Sequence, residues 1–73
     1  MSNTPIDARG YSCPQPVLMV KKAFASQDAA YTVLVDNHAA KENVSRFATH
    51  NGYGVSVTEE NGEYTLSLAK ENA

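Results

Sequence analysis

A two-residue turn signal constrains the fold of this 73-residue chain more than any other feature. The pair Asn61-Gly62 favours a tight connection between antiparallel strands, because both residue types tolerate the positive φ angles of such a turn. Apolar residues alternate with polar or small ones on both sides of it, at Tyr53, Val55, Val57, Tyr64, Leu66 and Leu68. This alternation predicts a hairpin with one buried face and one face in water.

Helical periodicity predicts two helices before the hairpin. In the first, apolar residues repeat at Val17, Val20 and Phe24, which gives one stripe that ends near Ala25. The second is expected over residues 39–50, where apolar residues again recur with helical spacing. The pair Asn51-Gly52 follows it and is typical of a helix C-terminus.

Two strands complete the predicted fold. Pro5–Ala8 predicts a short first strand, and the β-branched and aromatic run Tyr31–Val35 predicts a second. The order is therefore βαβαββ, and right-handed crossovers place both helices on one side if the first two strands are parallel neighbours. We expect a single domain over residues 1–73. Its fold class is α/β (α+β), a two-layer sandwich whose mixed four-stranded sheet carries two helices on one face.

Charge and composition exclude several classes of function. The net charge of −2 provides no basic surface for nucleic acid. A single cysteine cannot form an internal disulfide, and the first five residues lack the features of a signal peptide. The longest apolar run, Val17–Val20, is far too short to cross a membrane. These features predict a cytoplasmic protein with no nucleic-acid or membrane partner.

The single cysteine, Cys13, lies where the first helix is expected to begin. Pro14 suits the first helical position, and Pro16 removes a further backbone N–H that would be unpaired there. As the N-cap, the Cys13 sulfur would lie close to free N–H groups, which favour the thiolate and lower the thiol pKa. A lone cysteine is also commonly just a small buried side chain. The stiff Cys-Pro-x-Pro entry favours the reactive thiol.

Four residues near this cysteine are secondary candidates. Asp7 can accept hydrogen bonds from backbone N–H groups of a turn, and Gly10 is expected to adopt a positive φ. Arg9 offers positive charge near the sulfur or a docking contact with an acidic partner. His38 follows the second strand, in a loop on the same sheet edge as Cys13, where it is either a proton donor to the thiol or simply solvated.

Metal and hydrolase chemistry are not expected. A metal site needs three or four converging ligands, and His50 is predicted at the far end of the second helix from His38 and Cys13. No Gly-x-Ser-x-Gly nucleophile elbow is present. We expect no metal and no organic cofactor.

The pattern Asp7-x-x-Gly10-x-x-Cys13-Pro14-x-Pro16 resembles the signature of the TusA/SirA/YedF family of small sulfur-carrier proteins. The likeness covers essentially the whole chain. The segments Val35-Asp36-Asn37 and Ala40–Val44 are most similar to the YedF-like branch, which is associated with selenium metabolism. The resemblance also implies the two-layer fold.

The resemblance implies that Cys13 accepts a persulfide sulfur, or selenium, and relays it to a second protein. The donor would be a cysteine desulfurase or another persulfide donor, and the acceptor a further protein such as a DsrE-like one. Such a chain is a carrier rather than an enzyme with turnover of its own. The alternative is a non-catalytic interaction or regulatory module, and direct nucleic-acid binding ranks third.

Overall fold

The computed structural model describes residues 5–11, 15–26 and 29–71. Six elements follow the predicted order: β1 (Ile6–Asp7), α1 (Gln15–Phe24), β2 (Ala30–Val35), α2 (His38–His50), β3 (Tyr53–Glu60) and β4 (Glu63–Lys70). The strand β1 is shorter than expected, although the next residue, Ala8, still donates its N–H to the Leu34 carbonyl of β2 at 2.8 Å. The predicted start of the first helix at Cys13 and Pro14 lies outside the described residues.

The four strands form one mixed sheet in the order β1-β2-β4-β3. Strand β1 is parallel to β2, and β4 is antiparallel to both of its neighbours, β2 and β3. Strands β1, β2 and β3 therefore point in the same direction. Helices α1 and α2 contact each other and cover one face of the sheet. The predicted two-layer α+β sandwich is confirmed.

The core lies between this sheet face and the helices. Alternate residues of β2 and β4 are fully buried there, since a strand presents every second side chain to the same face. Helix α2 contributes a stripe of small buried residues. The largest fully buried residues are Val20, Val33, Val35, Val44, Leu66, Leu68 and Pro16.

The hairpin turn is the predicted one. Asn61 has a φ of 55° and Gly62 a φ of 80°, and the pair Glu60 and Glu63 closes the turn. Two consecutive positive φ angles are the signature of a type I′ turn, which matches the twist of the flanking strands. Val57, opposite the fully buried Leu66, is 44% exposed, so the helices do not cover the outer part of β3.

Four aromatic rings pack where β2 and β3 begin and both helices end. Phe24 stacks on Tyr53 at 4.4 Å and on Phe47 at 5.6 Å, measured between ring centroids. It also meets Tyr31 at 5.1 Å, in a tilted arrangement. The Tyr31 hydroxyl donates to the Ala23 carbonyl at 2.9 Å, so its polar atom is satisfied. We call these four rings the aromatic end of the molecule.

Candidate functional site

The loops that follow β1 and β2 lie side by side at one edge of the sheet, as expected for parallel neighbours. The Gly10 backbone N–H donates to Asp36 Oδ2 at 2.8 Å and joins the two loops. We call residues 8–11 and 36–38 the loop edge. It lies at the opposite end of the sheet from the aromatic end, because the aromatic residues Tyr31 and Tyr53 are at the strand N-termini.

Gly10 has the positive φ that its residue type predicts. Its φ is 85°, and a Cβ built on it would meet no atom within 4 Å. Backbone conformation rather than crowding therefore calls for glycine here. This turn comes three residues before Cys13.

Asp7 and Arg9 form a compact ion pair across the same turn. The Asp7 carboxylate accepts from the Arg9 backbone N–H at 3.2 Å, and from Arg9 Nε and Nη2 at 2.8 Å each. Arg9 Nη1 also donates to Glu63 Oε1 at 3.2 Å, at the start of β4. The side-chain hydrogen bonds from Arg9 are the main reason why the pKa of Asp7 is lowered to about 2. The bonds to Asp7 and then Glu63 hold the pKa of Arg9 well above its usual range.

The backbone bond expected of Asp7 is thus present, whereas Arg9 has a contact that the sequence did not suggest. It ties the loop after β1 to the first residue of β4. Its expected proximity to the sulfur, or to an acidic partner, stays a prediction because Cys13 lies outside the described residues. Glu63 reaches the loop edge through this contact, which no local sequence pattern predicts because the two residues are 54 positions apart.

The loop after β2 is organised by Asp36 and Asn37. Asn37 is the N-cap of α2, with a φ of −152° and its Oδ1 accepting from the Ala40 N–H at 2.7 Å. Its Nδ2 donates to Asp36 Oδ1 at 3.3 Å. Sequence reasoning did not select Asp36 as a site residue. A polar pair between a strand and a helix does indicate a cap, but the bond to Gly10 depends on how the two loops meet.

His38 is in a helix and not in the loop where it was expected. The Asn37 cap starts α2 at His38, and the His38 ring lies in the first turn, with Nε2 3.6 Å from Glu42 Oε2. The ring is 69% exposed. His50 is in the last turn of the same helix, about 18 Å away along the axis at 1.5 Å per residue. The two histidines therefore cannot share a metal ion, and the described ranges contain no cluster of three metal-ligating side chains.

The described residues on either side of positions 12–14 are at the surface. Tyr11 is 45% exposed, and Gln15, the first described residue of α1, is also exposed. Pro16 is fully buried, so the start of α1 is anchored in the core. The described first turn of α1 carries no acidic side chain that would repel an anion at the helix N-terminus. The positions of Cys13 and Pro14 themselves stay predictions.

No helix in the described part of the chain is long and apolar enough to span a membrane.

Known proteins resemble this chain along most of its length. The family model described as "Sulfurtransferase TusA" matches residues 4–70. A protein of Methanocaldococcus jannaschii, described as "Putative sulfur carrier protein", is 42% identical over 57 residues, which are 75% of this chain and 76% of that protein. The crystal structure of a SirA-like protein from Desulfitobacterium hafniense has a TM-score of 0.81 and 35% identity, and the match covers 93% of this chain and 97% of that one.

Proposed function

Because this chain belongs to the TusA family of sulfurtransferases, we propose that it is a small sulfur carrier that holds its cargo as a persulfide on Cys13. One observation carries the proposal: a chain that matches this family over residues 4–70 contains a single thiol. The 42% identical relative described as a sulfur carrier supports the same role. A free thiol persists in a reducing compartment, so we place the carrier in the cytoplasm.

The transfer step balances without an oxidant or a reductant. The Cys13 thiolate attacks the terminal sulfur of a persulfide on the donor, which we propose is a cysteine desulfurase. A new S–S bond forms on Cys13, the donor's S–S bond breaks, and the donor thiolate leaves and takes up a proton. The chemistry is that of thiol–disulfide exchange. An acceptor thiolate then repeats the attack on the Cys13 persulfide.

The described surroundings are compatible with an anionic sulfur. Helix α1 has ten residues, and free backbone N–H groups at a helix N-terminus attract anions. Its first described turn has no carboxylate to oppose this attraction. The exposed neighbours Tyr11 and Gln15 leave room for a second protein to approach.

Mass spectrometry of the intact protein tests the carrier role. After incubation with a cysteine desulfurase and cysteine, we expect the chain to gain the mass of one sulfur atom, and the Cys13→Ser variant to gain none. A matched control combines Cys13→Ser with Ser12→Cys, which moves the thiol by one residue and should load much more slowly. No gain in the wild-type chain with an active desulfurase, or equal loading of the shifted thiol, contradicts the proposal.

Selenium is a second cargo that we propose on the likeness of Val35-Asp36-Asn37 to the YedF-like branch. The same experiment with selenocysteine in place of cysteine should then add one selenium atom to Cys13. Sulfur loading without selenium loading would limit the chain to sulfur.

One surface favours a second candidate function, that of an interaction module. On α1, Leu18 is 50% exposed, and exposed Lys21 and Lys22 follow at the positions that neighbour it on the helix surface. A partner with an acidic, partly apolar surface would fit there. Complementation of a strain that lacks the gene separates the two functions. If the chain is an interaction module, the Cys13→Ser variant should restore function, whereas the variant that combines Lys21→Glu and Lys22→Glu should not. If the chain is a carrier, the Cys13→Ser variant should not restore function although it still binds its partner.

Direct nucleic-acid binding would be salt-sensitive, and we expect none above background.

A further inference from the structure

Asp36 connects the two loops of the loop edge through a hydrogen bond between residues that are far apart in the sequence. Its Oδ2 accepts the Gly10 N–H at 2.8 Å, although the two residues are 26 positions apart. We propose that Asp36 is a positioning residue, whose carboxylate holds the Gly10 turn and thereby sets where the Cys13 thiol lies. The proposal deepens the carrier function and rests on it for its purpose.

The carboxylate of Asp36 is itself held in place. The preceding residue, Val35, is fully buried and paired with Tyr64 of β4. The following residue, Asn37, caps α2 and donates from Nδ2 to Asp36 Oδ1 at 3.3 Å. Both carboxylate oxygens thus have a partner, one in each loop, so that the side chain connects the ordered end of β2 to the Gly10 turn.

The Gly10 turn limits where Cys13 can be. Three residues of extended chain span at most about 10 Å, so an anchored Gly10 keeps the Cys13 Cα within that reach. The other side of the segment is anchored by Pro16, which is fully buried. Without the Asp36 bond, the nearest anchor on the β1 side is Ala8, which is fully buried and donates to the Leu34 carbonyl. Five residues of extended chain from Ala8 reach about 17 Å, so the Cys13 Cα would be held much less closely.

The Asp36 side chain is exposed and is not among the core residues that dominate the stability of the fold. The bond between Asp36 and Gly10 is exposed, and an exposed hydrogen bond exchanges with water at little net gain in stability. The start of α2 is capped by Asn37 and not by Asp36. The specific result of the Asp36 bond is therefore the geometry of the loop that leads to Cys13.

The pH profile of Cys13 alkylation by iodoacetamide tests this role, with thermal melting to confirm that each variant is folded. In Asp36→Ala we expect the pH midpoint of alkylation to rise by about one unit, towards that of an ordinary thiol, because the proposed N-cap position of Cys13 is then no longer held. At pH 7 the rate should fall about threefold, because the thiolate fraction falls about tenfold while the more basic thiolate is a better nucleophile.

Two variants separate positioning from charge and from general loosening. Asp36→Asn removes the charge but keeps an oxygen that can accept from Gly10, and should stay close to the wild-type profile. Asn37→Ala weakens the start of α2 and removes the bond to Asp36 Oδ1, but keeps the Asp36 oxygen that accepts from Gly10. It should melt lower, with a shift of the alkylation midpoint clearly smaller than that of Asp36→Ala.

Three results would overturn the inference: a wild-type profile in Asp36→Ala, a downward shift of the midpoint in both Asp36 variants, or equal shifts in Asp36→Ala and Asn37→Ala. The downward shift would mean that the carboxylate acts through its charge. Alkylation does not depend on sulfur transfer. A wild-type chain that loads no sulfur therefore refutes the carrier function, while the alkylation profiles still decide the role of Asp36.

Discussion

The aromatic end and the loop edge are held together by different forces. At the aromatic end, Phe24 contacts the rings of Tyr31, Phe47 and Tyr53, and Tyr31 and Tyr53 are nearly fully buried. At the loop edge, Ala8 is buried, but the side chains of Arg9 and Asp36 make hydrogen bonds and ion pairs between exposed groups, with Asp7, Glu63 and the Gly10 N–H as their partners. Stability should therefore be concentrated at the first end, whereas the second end determines the shape of a loop.

The usual contributions of these two kinds of contact to the free energy of unfolding explain why stability is concentrated at the aromatic end. An aromatic pair contributes about 0.5–1.5 kcal/mol beyond the area it buries. An exposed ion pair contributes about 0–1 kcal/mol and is weakened by salt. A small domain has little stability to spare, so a change at the aromatic end can unfold it. A change at the loop edge can instead leave the chain folded while it alters the reactivity of the Cys13 thiol.

The largest effect is expected for Phe24→Ala at the aromatic end. This change removes three ring contacts and leaves space beside Tyr53, and should lower the free energy of unfolding by about 3 kcal/mol, as measured by urea denaturation. The Cys13 alkylation rate of the folded variant should not change. The control Val57→Ala, at a 44% exposed position, should cost less than about 1 kcal/mol. Slower alkylation of Cys13 in the folded Phe24→Ala variant would show that the aromatic end and the loop edge are coupled.

A smaller effect is expected for Asn37→Ala at the loop edge. Loss of the bond to the Ala40 N–H should lower the free energy of unfolding by about 1 kcal/mol, the usual contribution of an N-cap. Asn37→Asp keeps a capping oxygen and should lie near the wild type in the same denaturation series. If Asn37→Ala were as damaging as Phe24→Ala, the loop edge would also be a centre of stability.

The smallest effect concerns the exposed pair of Asp7 and Arg9, and it depends on pH. The pKa of Asp7 is lowered from 3.8 to about 2 in the folded chain, so its contribution to stability is present above about pH 3.8 and is lost as the pH falls towards 2. The denaturation midpoint of the wild type should exceed that of Asp7→Asn at pH 6, with the difference shrinking by pH 2.5. Glu60→Gln, at an exposed position outside the Asp7 and Arg9 pair, is the control. A constant difference across this range would mean that the Asp7 charge does not matter.

Local signals predicted the elements and the shared edge of the first two loops, but not the side-chain contacts between elements. Asn61-Gly62 predicted its hairpin because the turn needs two positive φ angles, which are a property of these residue types alone. The prediction of His38 in a loop is wrong, because Asn37 caps α2 and the helix therefore begins at His38, one residue before the predicted start. Cys13 was selected from its prolines and from a family pattern, and its role is still a proposal.

The sequence by itself determined the order βαβαββ, the hairpin turn and the Gly10 turn, because each depends on backbone preferences within a few residues. Only the tertiary structure decided that Asp36 meets Gly10 and that Arg9 meets Glu63, across 26 and 54 positions of the chain. These partners come together because β1 pairs with β2 and β4 inserts between β2 and β3. Strand order of this kind is chosen by burial of the shared core, and no short segment of the chain encodes it.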